Sequence, residues 1–494
     1  MRNEFRQARY DEPLLIEKGK PGRCGAAIPE WDDTREVGDL LPGEMVRDEL
    51  KLPEISEPEV VRHYVRLSQM NYGTDTGIYP LGSCTMKYNP KLNDRIASHP
   101  TFHRMHPLQP QDTAQGVLRM MYELQEDLCK IGGFAACTLQ PAAGAAGEFT
   151  GLLIAKKYHE SRGDTDRDEV IIPDSAHGTN PASAVMAGYN VVEIKSAPDG
   201  TVDVDALKNT LSERTACFMI TNPSTLGIFE KNIGEIQRAC HEAGALLYYD
   251  GANLNALMGK AKPGDMGFDI MHYNLHKTFS TPHGGGGPGS GPVAVSEKLE
   301  RFLPAPIVVK DGDEYRLDFD RPDSIGKVKG FYGNTGVMIR AWAYIRTLGG
   351  DGLKRTSEIA VLNASYIRSR IEEVYPVPFR SKEDRTKHEF VASASFLKDR
   401  GGSAKDVSKM LVDRGLHPPT NYFPLIVDEA LMIEPTESET MEELDRFSDA
   451  LLEIAKAEED DFKSAPRNST VARVDEVLAA KRLIINWNQF PEEE

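Results

Sequence analysis

A single lysine, Lys277, is the residue with the clearest potential for covalent chemistry. It follows the apolar segment 269–275 in the run His276-Lys277-Thr278-Phe279. A lysine at the end of a buried strand is unfavourable unless its amine faces a cleft, forms an ion pair or is used covalently. Because most lysines are solvated surface groups, Lys277 alone identifies no site. Its significance depends on what the rest of the chain places near it.

Three further features lie at the ends of apolar segments that we predict to be strands. Asp250 closes one such segment, His177 follows another, and the small residues 142–147 lie between a predicted strand and a predicted helix. Each also has a simpler explanation. Asp250 could cap a helix, and His177 could be a loop histidine that bonds the backbone. The small residues could permit close packing of a helix on a strand.

Taken together, these features match the needs of pyridoxal phosphate (PLP). A PLP site requires a carboxylate at the pyridine nitrogen, a phosphate cradle and a flat group against the ring. Ligands of α/β sheets bind at the carboxyl ends of the strands, where we expect these side chains to meet. The sequence therefore predicts PLP carried covalently by Lys277, with Asp250 at the pyridine nitrogen and His177 on the ring. The other predicted cofactor-binding residues are Ala143, Gly144 and Ala145 of the cradle, Asn222 and Thr225 for the PLP hydroxyl, and Ala252, Asn274 and His276.

A glycine-rich run follows Lys277 and resembles a nucleotide-binding loop only formally. Residues 284–289 satisfy the GxGxxG pattern, but residues 291–295 are strand-like where a helix N-terminus should begin. The run also lacks the Lys and Ser/Thr ending of a P-loop. We interpret it as a tight connection that lets the backbone pass close to Lys277.

Strand-like and helical segments alternate between residues 111 and 335. Several strand-like runs are continuously apolar, which is typical of strands buried on both faces. The alternation predicts a large α/β domain over 111–335 with a mostly parallel central sheet. Residues 1–110 are predicted to be extended and loop-rich, with an ordered loop at 79–90, and residues 336–494 to form a smaller α+β domain. The predicted strands are 136–140, 169–173, 190–194, 216–221, 245–250, 269–275, 291–295 and 388–397, and the predicted helices include 143–159, 182–188, 204–211, 232–243, 337–348, 353–374 and 404–414.

The composition is that of a globular enzyme without nucleic-acid or membrane partners. The 494 residues have a formal net charge of −18, with 27% charged and 40% hydrophobic residues. Nucleic acids and anionic membrane surfaces both attract basic proteins, so this charge argues against either partner. The N-terminus is too polar for a signal peptide, and no apolar run is long enough to span a bilayer. Six scattered cysteines, none spaced as CxxC, predict reduced thiols in the cytoplasm and no metal site.

Several longer motifs resemble those of a single family. They are 79–87 (YPLGSCTMK), 175–184 (SAHGTNPASA), 250–253 (DGAN), 276–283 (HKTFSTPH), 417–420 (HPPT) and 434–437 (EPTE). All are similar to motifs of glycine decarboxylase, the P-protein of the glycine cleavage system, and the resemblance spans nearly the whole chain. Within that family the chain resembles the second, lysine-bearing subunit of the two-subunit form.

The resemblance implies both a fold and an activity. The implied fold is the aspartate-aminotransferase-like fold type I of PLP enzymes, with a mostly parallel sheet and a smaller C-terminal α+β domain. The implied reaction is the decarboxylation of glycine, with transfer of the aminomethyl group to the lipoyl arm of H-protein. A homologous first subunit is the expected partner, in an α2β2 assembly. Lys277, Asp250, His177 and His276 are the expected catalytic residues, and His276 is a candidate for proton transfer.

The alanine-rich cradle departs from what a phosphate site often contains, because residues 142–146 supply no hydroxyl side chain. Phosphate binding would then depend on backbone N–H groups, helped by His276 or Asn274. Residues 333–335 of a neighbouring subunit are a further candidate contribution.

Two alternatives remain open from the sequence. The chain could be another fold-type-I PLP enzyme, such as a cysteine desulfurase or a different amino-acid decarboxylase. It could also be a non-catalytic scaffold subunit, although a scaffold has no need of His276 and Lys277. Cys84 is better interpreted as a packed cysteine than as a redox residue, since free cysteine behaves as a small hydrophobe. The residues that select glycine are not identifiable at this level.

Overall fold

A computed structural model describes residues 5–26, 35, 37–47, 52–284, 289–381 and 385–486 of the chain. Its α-helices are α1 (Leu15–Lys18), α2 (Val37–Leu40), α3 (Glu57–Gln69), α4 (Lys91–Ala97), α5 (Pro100–His103), α6 (Gln115–Gly132), α7 (Gly144–Ser161), α8 (Thr179–Met186), α9 (Val204–Thr210), α10 (Ile233–Glu242), α11 (Leu275–Thr278), α12 (Thr335–Ile371), α13 (Ala404–Val412), α14 (Met441–Ile454), α15 (Glu459–Ser464) and α16 (Glu476–Lys481). Its strands are β1 (Ala136–Thr138), β2 (Glu169–Pro173), β3 (Asn190–Ile194), β4 (Thr215–Ile220), β5 (Leu246–Gly251), β6 (Ile270–Tyr273), β7 (Val293–Val295), β8 (Ile307–Asp311), β9 (Glu314–Asp318), β10 (Phe390–Ser393), β11 (Thr420–Asn421) and β12 (Ala430–Ile433).

The chain divides into two compact units. The first comprises Met1–Gly73, Val412–Gly415 and Ser464–Glu494, and the second comprises Thr74–Leu411 and Leu416–Lys463. Every candidate site residue named above belongs to the second unit. The domain boundaries predicted at residues 110 and 335 stay a prediction.

A buried glutamate organises part of the first unit. The side chain of Glu12 is 1% exposed and forms ion pairs with Lys18, with Arg66 at 2.9 Å and with His63 Nδ1 at 2.8 Å. His63 and Arg66 lie on α3, so these contacts tie the N-terminal segment to that helix. A buried carboxylate needs such partners because an unpaired one would lose its hydration without compensation.

The second unit is built on a seven-stranded sheet with the order β1-β7-β6-β5-β4-β2-β3. The pairs from β3 to β6 are parallel, and β7 runs antiparallel to both of its neighbours, β1 and β6. Core clusters of apolar side chains cover the sheet, with α6 and α10 contributing to one and α7 to the other. The mostly parallel sheet confirms the α/β class predicted from the alternation of segments.

One edge of this sheet collects the carboxyl ends of β1, β2, β4, β5 and β6. This follows from the pairing, because β1 and β6 both run antiparallel to β7 and are therefore parallel to each other. The segments that leave these strand ends carry the cradle, His177, Asn222, Asp250 and Lys277. The predicted convergence of strand ends is thus a property of the fold.

Helix α7 packs very closely against the sheet. A Cβ atom added at Gly147 would lie 2.7 Å from the backbone oxygen of Gly291 and 3.2 Å from Cβ of His272. Only glycine allows this approach, because a backbone oxygen cannot move aside as the end of a flexible side chain can. The glycine therefore determines how far the N-terminus of α7 lies from β6.

A smaller antiparallel sheet, with the order β10-β12-β11, lies in the C-terminal part of the second unit. The helices predicted at 337–348 and 353–374 form the single run α12, which is interrupted at Gly349 with φ 62° and ψ −175°. The strand predicted at 388–397 is shorter and is found as β10. Among the described residues, no helix combines the length and apolarity that crossing a bilayer requires.

The loop 79–90, predicted to be ordered, extends this smaller sheet. Leu81 forms an antiparallel bridge with Ile433 of β12, and Gly82 N donates to Met432 O at 3.2 Å. Glu434 N in turn donates to Pro80 O at 3.3 Å. These backbone bonds fix the start of a segment that continues towards the turn containing Lys277.

We expect Gly147→Ala to lower the free energy of unfolding by about 1–3 kcal/mol, because the added methyl group has no space. Gly116→Ala is the matched control, since a Cβ there meets nothing within 4 Å. Helical Gly→Ala substitutions without clashes are usually stabilising. Urea unfolding followed by circular dichroism measures both. Equal stability of the two variants would contradict the close packing described for α7.

Candidate active site

Lys277 lies in α11, a single helical turn that begins directly after β6. Asn274 is the N-cap residue of this turn, and Lys277 N donates to Asn274 O at 3.0 Å. Lys277 is 8% exposed, so its amine lies inside the protein. Two residues after the turn, Ser280 adopts φ 52°, a left-handed conformation that is strained for a residue with a side chain. The structure therefore confines Lys277 between a buried strand and a strained bend.

Asp250 is held ionised by a neighbour from the next strand. The parallel register pairs Asp250 of β5 with His272 of β6, and His272 Nε2 lies 3.2 Å from Asp250 Oδ1. Asn180 Nδ2 donates to Asp250 Oδ2 at 2.9 Å. Burial alone would raise the pKa of Asp250, but the charge of His272 and the hydrogen bond from Asn180 hold the pKa below its usual value. Asp250 is therefore a buried anion, as a group facing a protonated pyridine nitrogen must be.

A second buried carboxylate, Glu148, connects Asp250 to His177. Glu148 Oε1 accepts from Thr179 Oγ1 at 2.7 Å and lies 3.9 Å from His272 Nε2. Thr179 Oγ1 also lies 3.0 Å from His177 Nδ1. A polar cluster thus extends from Thr179 through Glu148 and His272 to Asp250, with the His177 ring beside Thr179. Glu148 and His272 could not be identified from the sequence as site residues, because each lies inside a predicted helix or strand.

The ligand atoms of Glu148, Asp250 and His272 lie within 4.8 Å of one another, which is also a spacing that a metal ion could use. All four carboxylate oxygens already accept hydrogen bonds. Thr179 and Ser183 donate to Glu148, while Asn180 and the backbone of Ala252 donate to Asp250. We interpret the cluster as a charge network. The expectation that the chain has no metal site stays a prediction.

His177 lies in the turn that precedes α8. Its Nδ1 accepts from Thr179 N at 3.3 Å, and its ring lies 5.9 Å from the ring of Phe423. Burial, followed by the charge of Lys277, lowers the pKa of His177. A neutral imidazole held at this position by its own loop is suited to stacking on a flat ring.

The phosphate cradle predicted at residues 143–145 is the N-terminus of α7. Ala143 is the N-cap residue, and the first bond within the helix is Gly147 N to Ala143 O. The N–H groups of Gly144 and Ala145 are therefore among the donors that a helix leaves unused at its start. A Cβ at Gly144 would lie 2.5 Å from Asn274 Oδ1, which is buried without a hydrogen-bond partner. The free backbone donors at the start of α7 fit a phosphate group.

His276 precedes Lys277 in the turn α11 and packs against the backbone near Gly289. Its Nδ1 accepts from Ser290 N at 3.3 Å, and its ring lies 5.3 Å from that of His283. Burial, followed by the charges of Lys277 and His283, lowers the pKa of His276 to about 3. A neutral imidazole whose Nδ1 is an acceptor carries its proton on Nε2, which leaves Nε2 as a donor. Residues 285–288, which belong to the glycine run discussed above, lie outside the described residues.

The other predicted cofactor-binding residues, Asn222, Thr225 and Ala252, all form hydrogen bonds with nearby groups. Asn222 Oδ1 accepts from Glu230 N at 2.9 Å, while Asn222 Nδ2 is buried without a hydrogen-bond partner. Thr225 Oγ1 donates to Ser175 O at 3.0 Å. Ala252 N donates to Asp250 Oδ1 at 3.0 Å, so Ala252 orients the carboxylate. The side chain of Asn222 keeps a free donor for a ligand.

Two buried glutamates from the C-terminal part were not predicted. Glu434 accepts hydrogen bonds from both the backbone and the hydroxyl of Thr85, and from the side-chain amides of Asn253 and Asn255. Glu389 Oε2 accepts from Ser83 N at 2.8 Å. Ser83 and Thr85 both have positive φ, 67° and 49°, which turns their N–H groups towards the two carboxylates. The sequence feature that could have indicated them is that Thr85 and Glu434 both lie in motifs that resemble those of glycine decarboxylase, 79–87 and 434–437.

Glu389, Cys84 and Lys277 are close enough to influence one another electrostatically. Burial and the Glu434 carboxylate raise the pKa of Glu389 well above its usual range, although Lys277 opposes them. Burial also raises the pKa of the Cys84 thiol. A thiol with a raised pKa is a poor nucleophile, which agrees with Cys84 as a packed residue.

Residues 333–335, which were candidates to reach a neighbouring subunit's site, contact the cradle of their own chain. Asn334 Nδ2 donates to Ala142 O at 3.1 Å and to Gly289 O at 2.7 Å. This side chain therefore bridges the backbone before α7 and the backbone after the glycine run.

Comparisons with known proteins match two family models to this chain. Residues 356–477 match the model described as glycine dehydrogenase, C-terminal domain. Residues 146–302 match the model described as aminotransferase class-V. The second match extends from α7 past β7 and includes Lys277.

Curated relatives are similar over nearly the full length. The protein described as probable glycine dehydrogenase (decarboxylating) subunit 2 of Caldanaerobacter subterraneus subsp. tengcongensis is 56% identical, covering 96% of this chain and 99% of the relative. The protein of the same description from Thermoplasma acidophilum is 56% identical, covering 98% of this chain and 100% of the relative.

Solved structures show the fold. A crystal structure of glycine decarboxylase (P-protein) of the glycine cleavage system, in inhibitor-bound form, has a TM-score of 0.73 at 22% identity and covers 85% of this chain and 95% of its own. The apo structure of a cysteine desulfurase from Thermococcus onnurineus has a TM-score of 0.60 at 16% identity and covers 77% of this chain and 95% of its own. The predicted fold type I is confirmed.

His272→Gln is expected to lower the free energy of unfolding by about 3 kcal/mol at pH 6, because it leaves the Asp250 carboxylate buried without its cation. Burial acts to lower the pKa of His272, but Asp250 and then Glu148 outweigh it and raise the pKa. A histidine with a raised pKa stabilises the folded state fully below its unfolded pKa, about 6.5. That stabilisation is lost as pH rises through the folded pKa. The destabilisation should therefore become smaller at alkaline pH.

Unfolding of the protein without added PLP, measured at several pH values, provides the check. His103→Gln, at an exposed histidine, is the control and should have little effect at any pH. A loss of stability in His272→Gln that does not depend on pH would contradict a protonated His272 beside Asp250.

Proposed function

The chain belongs to the family of glycine dehydrogenase (decarboxylating) subunit 2, and we propose that it catalyses the PLP-dependent decarboxylation of glycine. The aminomethyl group would pass to the lipoyl arm of H-protein, as in glycine catabolism by the glycine cleavage system. The observation that carries this proposal is the 56% identity over 96% of the chain to a relative of that description. The geometry around Lys277 and Asp250 supports it.

Residues at the ends of β2, β5 and β6 would bind the cofactor ring. Lys277 would carry PLP covalently, and His177 would stack on the ring. Asp250 would accept a hydrogen bond from the protonated pyridine nitrogen, which its buried, ionised state favours. When bound, PLP supplies the sink for the electron pair released as CO2 leaves glycine. The polar network through Glu148 and His272 keeps the Asp250 carboxylate charged and oriented.

The phosphate would be held mainly by neutral donors. The N–H groups of Gly144 and Ala145 at the start of α7 provide the positive end of a helix dipole. The side chain of Asn274, which packs against Gly144, and the Nε2 of His276 would add side-chain hydrogen bonds. We propose that His276 binds the phosphate through the proton on its Nε2, since its Nδ1 accepts from Ser290 N. Its role in proton transfer stays a prediction.

Asn222 and Thr225 are proposed to contact the cofactor hydroxyl. Asn222 supports this proposal better, because its buried Nδ2 has no hydrogen-bond partner among the described residues. Thr225 already donates to Ser175 O, so its contribution would be to hold the His177 loop. Ala252 would act through the hydrogen bond of its backbone to Asp250.

The relatives' description as subunit 2 supports a second, homologous subunit as a partner, and we propose an α2β2 assembly. Lipoylated H-protein would be the second protein that visits the site. We also propose a cytoplasmic location, which the six scattered cysteines favour.

The test is exchange of labelled bicarbonate into the carboxyl group of glycine by the chain together with its first subunit and lipoylated H-protein. Borohydride reduction and peptide mapping should place a pyridoxyl group on Lys277. We expect Lys277→Ala to abolish both the label and the exchange. Asp250→Asn should slow exchange by about 10²–10³-fold, which is typical for the loss of a preorganised charge. Lys310→Ala, at an exposed lysine, should leave both unchanged.

The result that counts against the proposal is a pyridoxyl group on Lys277 without any glycine-dependent exchange. Release of sulfide from cysteine under the same conditions would then identify a different enzyme of this fold. A chain that acquires no pyridoxyl group, even with its partner present, would favour a scaffold subunit.

A further inference from the structure

A second lysine, Lys87, is buried close to the turn that contains Lys277. Lys87 is 4% exposed and comes from the segment that extends the C-terminal sheet. Its Nζ donates to the backbone oxygen of Thr278 at 2.8 Å and to Glu437 Oε1 at 2.6 Å. Its ammonium also lies 5.3 Å from the centre of the Tyr344 ring. A buried lysine with this many partners has a defined position.

The contacts keep Lys87 charged. Burial acts to lower the pKa of Lys87, but the nearby Glu437 carboxylate outweighs it and raises the pKa. Glu437 Oε1 also accepts from Tyr344 OH at 3.1 Å, so the carboxylate is itself oriented. Removing one partner of such a pair leaves the other buried and unpaired, which is strongly destabilising.

The backbone oxygen that Lys87 binds belongs to the residue directly after Lys277. Thr278 is the last residue of α11, and carbonyl groups at a helical C-terminus attract cations. Thr278 Oγ1 additionally accepts from Leu254 N at 2.9 Å. Thr278 therefore forms two hydrogen bonds with residues outside the turn, one to Lys87 and one to Leu254. The strained residue Ser280 follows it. A single turn of helix has little stability of its own.

We infer that Lys87 is a positioning residue whose ammonium fixes the turn that presents the amine of Lys277. This inference rests on the proposed function, in which Lys277 carries PLP. The Lys87–Glu437 pair joins the turn to the C-terminal part of the second unit. Loss of the pair would let the Lys277 amine depart from the position that covalent attachment requires, even in a folded protein.

The experiment separates positioning from stability by removing the buried charge pair in two steps. Lys87→Met leaves Glu437 buried and unpaired, so we expect a lower midpoint of thermal unfolding. In the double variant Lys87→Met/Glu437→Gln no unpaired charge remains, and Gln keeps an acceptor for Tyr344. The double variant should therefore recover most of the unfolding midpoint. Lys91→Met is the control, since Lys91 forms a pair with Asp75 in which both side chains are more than half exposed.

Three quantities are measured on the full-length chain: the unfolding midpoint without PLP, the Kd for PLP, and the yield of pyridoxyl group on Lys277 after borohydride. In the double variant we expect a recovered midpoint, a PLP affinity about tenfold weaker than in the wild type, and a reduced yield on Lys277. Lys91→Met should match the wild type in all three.

Recovery of the midpoint, affinity and yield together in the double variant would overturn the inference, because Lys87 would then be only part of a structural pair. A wild-type chain without label on Lys277 would overturn the proposed function and this inference together. If the wild type carries the label and the double variant fails to differ from it, the inference about Lys87 is wrong while the proposed function stands.

Discussion

The buried contact between Asp250 and His272 is the interaction on which the rest of the site depends. It exists because β5 and β6 are parallel neighbours in a register that places these two residues side by side. A slip of one residue would turn His272 to the opposite face of the sheet and leave Asp250 buried without its cation. The same register sets where β6 ends and therefore where Lys277 begins its turn. The pairing of β5 with β6 thus determines both the charge of Asp250 and the position of Lys277.

The position of helix α7 against the sheet also depends on β6. Gly147 packs directly on His272, and Gly144 packs on the Asn274 side chain. The helix that would bind the phosphate is therefore positioned by the strand that delivers the lysine. Because protein interiors are close-packed, displacement of either element would be transmitted to the other. The cradle and Lys277 consequently form one rigid assembly.

Much of this could be predicted from the sequence, and the failures have a common cause. Lys277, Asp250 and His177 were identifiable because each follows an apolar segment, and parallel sheets bring such positions together. His272 was not, since a histidine inside a strand resembles a core residue until its neighbouring strand is known. Lys87 and Glu434 were missed as functional groups for a related reason: their partners lie far away in the chain. The split of α12 at Gly349 was anticipated by the gap between two predicted helices.

The Glu434 carboxylate has a consequence for the order in which the protein is made. Its partner Thr85 is 349 residues earlier in the chain, and Asn253 is 181 residues earlier. Synthesis runs from the N-terminus, so the sheet and Lys277 leave the ribosome well before Glu434 exists. Contacts between residues so far apart in the sequence form late, because closing the long loop between them costs entropy until the intervening chain has folded. A nascent chain therefore passes through a stage in which the lysine-bearing edge of the sheet is complete but still uncovered.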